Sequence, residues 1–153
     1  MLSRLADLAI LCPSRNPIDT EDRRRETIET ANGTVEAWVV CTSEQKPGNT
    51  RDQPKPGQPN PDVIGLKFPG TAGRAERAGP HPLELWSDLK SEIWTINHLG
   101  YGGSEGTASV KNLAATCESV WQHIAKRFPQ TPIVLIGNSL GCVSVLYLSA
   151  RYE

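Results

Sequence analysis

The 153-residue chain has almost no surplus charge of either sign: 16 Lys and Arg against 17 Asp and Glu leave a formal net charge of −1. That balance excludes electrostatic attraction to nucleic acid or to an anionic membrane as its main binding mode. Its one basic run, Arg23-Arg24-Arg25, is bracketed by Glu21, Asp22 and Glu26 and has no aromatic residues interleaved for base stacking. It reads as a solvated approach to a strand. Long apolar runs are missing as well. The stretch from Met1 to Cys12 contains Asp7, lacks a small-x-small cleavage pattern and is too short to span a bilayer. Cysteine is scarce and scattered: Cys12, Cys41, Cys117 and Cys142 form no C-x-x-C pair and have no histidine at ligand spacing. Neither a zinc site nor a disulfide framework follows, and reduced, mostly buried thiols are expected. These absences point to a cytoplasmic protein with no nucleic-acid partner, no membrane span and no metal.

What is present fits one domain over 1–153, long enough to bury a core without covalent staples. Leu2, Leu5, Leu8, Ala9 and Cys12 recur at helical spacing and predict a helix packing one face on the domain. Arg25 to Thr30 and Val35 to Cys41 read as strands, and Asn32-Gly33 between them is a hairpin signal. The stretch 46–61 holds five prolines and two glycines. It can neither complete a ladder nor bury a face, so it reads as a surface loop, with proline recognition as the functional alternative.

From Asp62 onward short apolar strands alternate with helices. Strands are expected at Val63–Phe68, Ile93–Asn97 and Ile133–Ile136, and helices at Pro82–Lys90, Ser109–Arg127 and Leu140–Arg151. Such alternation predicts parallel pairing, hence an α/β fold: a mostly parallel sheet with helices on both faces. Ligands bind such sheets where strands end and helices begin. Three strand ends therefore converge on one edge, Phe68 to Thr71, Asn97 to Gly100, and Gly137 to Ser139.

The last of these is Gly137-Asn138-Ser139-Leu140-Gly141, a G-x-S-x-G run directly after an apolar strand and before a helical segment. A serine hydroxyl is a poor nucleophile, so its chemistry needs the side chain lifted clear on a sharp strand-to-helix turn, within reach of a base and of oxyanion-binding amides. Gly137 and Gly141 remove the Cβ atoms that would clash where strand and helix fold back. The loop Gly100-Tyr101-Gly102-Gly103 also follows a strand, but its glycines do not reproduce the G-x-G-x-x-G spacing of a dinucleotide site.

Taken in this order, hairpin, strand, Pro-Gly-Thr loop, strand, Gly-Tyr-Gly loop, helix, elbow and helix, the chain from about Glu26 onward resembles the α/β-hydrolase superfamily. The likeness is to its serine-hydrolase branch, with serine-aminopeptidase-like, lipase-like and thioesterase-like members; dehalogenases and epoxide hydrolases carry aspartate at the elbow. The resemblance implies Ser139 as nucleophile, backbone N–H groups of Thr71 and Leu140 as oxyanion donors, and Gly70 supporting the elbow beside Gly137 and Gly141. It implies no cofactor. Pro69 stands where relatives usually have histidine, which leaves a backbone donor intact. Asn97 and Leu99 replace a common Asp and Arg pair, which puts the bracing of the Gly-Tyr-Gly loop in question.

In this family the acid and histidine follow the serine, yet only 14 residues follow Ser139. The chain is therefore expected to be the N-terminal portion of a longer enzyme, or the product of a truncated gene, and inactive by itself. Of the three histidines, His81 lies in a loop and His123 on a helix, while His98 ends a strand on the serine's edge and is the one candidate surrogate base. Two readings result. One is a serine hydrolase of carboxylic esters, thioesters or amides with a small-molecule or peptide substrate. The other is a non-catalytic α/β module for binding or assembly. On either, Ile133 to Ile136 would lie at a sheet edge and favour self-association.

Overall fold

The computed structural model describes residues 2–20, 23–42 and 60–152, so the expected loop at 46–61 lies outside the described residues except for its last two. β1 (Arg24–Thr30) and β2 (Gly33–Cys41) form the expected hairpin, with Thr30 paired to Gly33 across Ala31-Asn32. Gly33 takes φ +121°, which a side chain would strain, so the Asn-Gly signal is used at its second residue.

β3 (Val63–Phe68), β4 (Ser91–Ile96) and β5 (Ile133–Gly137) complete a mixed sheet of order β1-β2-β4-β3-β5. β2 runs antiparallel to both neighbours, and β3 runs parallel to β4 and β5. Four of the five strands therefore point one way and end on a common edge. β3 and β4 are buried along almost their whole length, as central parallel strands require. β5 is the terminal strand of the order and Val134 on it is 40% exposed.

Alternation sends Ile28, Val35, Ala37, Val39, Ile64, Leu66, Phe68, Trp94 and Ile96 to one face of the sheet. There they meet Cys117, Val120 and Ile124 of α2 (Val110–Arg127) and Leu148 of α3 (Gly141–Ser149). Each large side chain buried there contributes about 1.5–3 kcal/mol. Ser109 caps α2 by accepting from Lys111 N–H at 3.2 Å. Glu118 of α2 accepts from Tyr147 Oη at 2.8 Å and Tyr152 Oη at 2.9 Å, clasping the two helices together.

The opposite face is covered differently. The helix expected over Pro82–Lys90 is a 3-10 turn at Leu83–Trp86, with a second such turn at Ala75–Arg77. Its bonds run Leu83 to Pro80, Leu85 to Pro82 and Leu89 to Trp86, all three residues apart. Two prolines remove N–H donors, and only Leu83 is buried while Leu85 and Leu89 face solvent, so no apolar stripe supports a full helix. Trp86 packs over Gly65, whose missing Cβ would lie 2.3 Å from Ile93 Cδ1.

α1 (Leu2–Leu11) forms as expected, but it does not bury the expected stripe: Leu5 is 63% and Leu8 50% exposed, and Ala9 and Cys12 are exposed too. The helix is held by its end instead, where buried Leu11 packs with Tyr101, Ala108, Leu113 and Leu140. The thiols divide evenly, Cys41 and Cys117 buried, Cys12 and Cys142 exposed, with no disulfide among the described residues.

Candidate active site

β5 passes through Asn138 and Ser139 into α3, and Ser139 sits in the left-handed region at φ +51°. A non-glycine residue held there costs about 1–3 kcal/mol unless its surroundings impose it. Those surroundings are visible. Asn138 N–H donates to Phe68 O at 3.1 Å, tying the turn to the end of β3, and Cys142 N–H donates to Ser139 O at 2.9 Å, opening α3.

The glycines explain how strand, turn and helix come so close. A Cβ on Gly141 would stand 1.9 Å from Phe68 O, and one on Gly137 2.8 Å from Cys142 Cα. A Cβ on Gly70 would fall 2.7 Å from Asn138 O and 2.9 Å from Ser139 Cβ, so the loop after β3 lies against the serine. Ser139 itself is exposed.

Among the described residues the backbone N–H groups of Gly70, Thr71, Ser139 and Leu140 have no partner, and the last of these and that of Thr71 flank the turn. In the loop after β3, Ala72 N–H donates to Leu11 O at 3.0 Å and Gly73 N–H to Gly70 O at 2.9 Å, whereas Thr71 N–H has no partner among the described residues. At the elbow, Gly141 N–H donates to Asn138 O at 2.9 Å, whereas Leu140 N–H has none among the described residues. The exposed serine thus stands in a turn packed against the loop that begins at Gly70, with unpaired backbone donors in both segments.

The histidines stand apart from it. His98 is buried, stacked on Phe68 at 5.9 Å between centroids and edge-on to Tyr101 at 6.3 Å, and burial pushes it down to about 4. No hydrogen bond joins it to Ser139 among the described residues, and its Nδ1 is without a partner. His81 is exposed 3.8 Å from Glu84, and His123 is on α2. The structure packs Gly70 against the turn from Gly137 to Gly141, and among the described residues no histidine hydrogen-bonds the Ser139 hydroxyl.

The bracing left in question by Asn97 and Leu99 is built from residues the motifs do not reveal. Glu36 of β2 and Glu76 of the β3–β4 crossover are both buried and both accept from Asn97 Nδ2, at 2.6 and 2.8 Å. Nothing in a single sequence marks Glu36 or Glu76, because one lies in an apolar strand and the other in a loop. Leu99 is buried among apolar residues.

Among the described residues the five-stranded sheet in this order, with the serine turn at the end of β5, has the α/β-hydrolase fold, and the chain is similar to proteins of that superfamily. Over 71 residues it is 38% identical to alpha/beta hydrolase domain-containing protein 17C of Mus musculus, a match covering 45% of the chain and 22% of that relative. The match thus spans about a quarter or less of the length of such curated relatives. An esterase of Pyrococcus furiosus superposes with TM-score 0.63 at 13% identity, over 92% of this chain and 51% of that one. A lidless α/β serine hydrolase of Xanthomonas campestris gives 0.53 at 16% identity, over 88% and 59%. No family model matches the chain.

Proposed function

We propose that the chain carries the nucleophile and oxyanion site of a serine hydrolase acting on a carboxylic ester, thioester or amide of a small molecule or peptide. The observation that carries this reading is Ser139 at φ +51° packed against the loop at Gly70, with the N–H groups of Thr71 and Leu140 unpaired among the described residues. Ser139 Oγ attacks the carbonyl carbon and gives up its proton to a base. The carbonyl oxygen takes the electron pair and is held by the two N–H groups. Collapse expels the alcohol, thiol or amine with a proton and leaves the acyl group on Oγ, and water then releases the acid.

Among the described residues no histidine or carboxylate hydrogen-bonds Ser139. The isolated chain is therefore a slow acylator, left with oxyanion stabilisation and binding, which in triad enzymes still give about 10³–10⁴-fold over water. We place it in the cytoplasm, on the character of its N-terminal segment, and without a nucleic-acid partner, on its balanced charge, as one incomplete α/β-hydrolase-like domain over 1–153. Among the described residues no helix is long and apolar enough to cross a membrane. β5, uncharged and terminal in the sheet, pairs with a strand of another copy.

The test is exposure of the purified chain to a fluorophosphonate, with adducts mapped by mass spectrometry as pH is raised so that hydroxide stands in for the base. Ser139 should be modified at least about tenfold faster than any other exposed serine. Equal modification of unrelated serines contradicts the site. Rapid stoichiometric reaction at neutral pH contradicts the absence of a base.

A further inference from the structure

Asn97 directly follows β4 at 1% exposure, and both the oxygen and the nitrogen of its side chain are hydrogen-bonded. Its Oδ1 accepts from Ala75 N–H at 2.8 Å, and its Nδ2 donates to Glu36 Oε2 at 2.6 Å and Glu76 Oε2 at 2.8 Å. Buried carboxylates are tolerated only when paired. Here Arg25 Nε meets Glu36 at 2.6 Å, and Arg74 forks onto Glu76.

Each partner leads to a different part of the site. Glu36 also accepts from Gly103 N–H at 2.8 Å, in the loop after β4. Ala75 and Glu76 end the loop that begins at Gly70 and Thr71, and Arg74 donates on to Ser14 O at 2.8 Å. An amide is the side chain that can serve here, because it offers two N–H donors to two anions and one acceptor to a backbone N–H. A carboxylate at 97 would be a third anion with no hydrogen to give.

We infer that Asn97 is a positioning residue: by holding Ala75 and Glu76 against Glu36 it fixes the loop that presents Thr71 N–H beside Ser139. The inference rests on the proposed role of that N–H, and its test does not depend on catalysis. The charged groups facing Asn97 are Glu36 and Glu76, with Arg25 and Arg74 behind them, and Arg23 donates to Glu76 O at 3.1 Å. Glu76 is pushed up by burial, but hydrogen bonds from Arg74 and Asn97 outweigh this and hold it below the usual carboxylate range. Neighbouring His98, pushed by burial to about 4, stays neutral between pH 5 and 7.

Asn97→Asp and the unaltered protein are compared by amide hydrogen exchange. At pH 7 the variant's Thr71–Arg77 amides should exchange about 10- to 100-fold faster, the loss expected for hydrogen bonds to charged groups, with α2 unchanged. Near pH 5 the added carboxyl, raised by its two anionic neighbours, takes a proton and can donate again. With one hydrogen for two carboxylates it restores only part of the network, so the variant's deficit in protection should shrink at least about threefold without vanishing. Unchanged protection at pH 7, a loss spread equally over α2, or no recovery at pH 5 would overturn the inference. If the variant does not fold, the unaltered protein decides: Ala75 and Gly103 should open as one unit, and exchange of Ala75 about 100-fold faster than Gly103, after correction for intrinsic rates, would overturn it. Failure of Ser139 to react with the fluorophosphonate would instead remove the catalytic reading and leave this bracing standing.

Discussion

Gly141 shows how little room the serine turn leaves. Its backbone lies so near Phe68 O that a Cβ would stand 1.9 Å away, and a carbonyl in a buried strand end cannot move aside without disturbing β3. Gly141→Val should therefore cost at least about 3 kcal/mol, at the upper end of overpacking penalties. Val143→Ala, two residues on and half exposed, should change stability by no more than about 0.5 kcal/mol. Denaturant titration of both variants checks this, and a Gly141→Val protein as stable as the parent contradicts the packing. At this scale the sequence is informative where chemistry is local. G-x-S-x-G announces the turn because the glycines answer to neighbours a few residues away or on the adjacent strand. Glu36 and Glu76 are silent because their meaning comes from Asn97, 61 and 21 residues distant.

The strands, α2 and α3 are legible from apolar alternation and capping, and each lies within two residues of its expected bounds, the last helix running Gly141–Ser149. The crossover between β3 and β4 is not, since Pro82–Lys90 carries helix-forming residues without a buried stripe to hold them. α1 misleads in the opposite way: its stripe is real, but the helix is anchored by Leu11 and its neighbours, not laid along the sheet. β5 is the element with the clearest consequence. It has no charged residue, exposes Val134 and adjoins a cavity of about 350 Å³ lined by Trp121, Phe128, Ile133, Leu135 and Tyr152. Natural edges are commonly blunted by lysine. Val134→Lys should shift sedimentation of the concentrated protein toward the monomer and leave its thermal midpoint within a few degrees. Identical association of parent and variant contradicts pairing through β5.

Over the whole molecule, the common edge of the strands that run one way gathers the serine turn and the loops beside it, and the end of α1 with the segment after it ties them together. Leu11 O accepts from both Ala72 N–H and Tyr101 Oη, while Arg15 reaches Gly100 O at 3.2 Å and Gly106 O at 2.8 Å. The serine turn, the Thr71 loop and the Gly-Tyr-Gly loop therefore share one framework. The sequence order revealed that the three strand ends meet; it could not reveal which N–H groups would be left unpaired, since that depends on every other bond the loops make. The central claim is that Thr71 and Leu140 N–H receive the oxyanion, and the most direct measurement is the amide spectrum of the chain before and after phosphonylation at Ser139. The account predicts downfield shifts and slowed exchange concentrated at those two amides, as the phosphoryl oxygen accepts from both. An adduct on Ser139 that leaves Thr71 and Leu140 unshifted would contradict it.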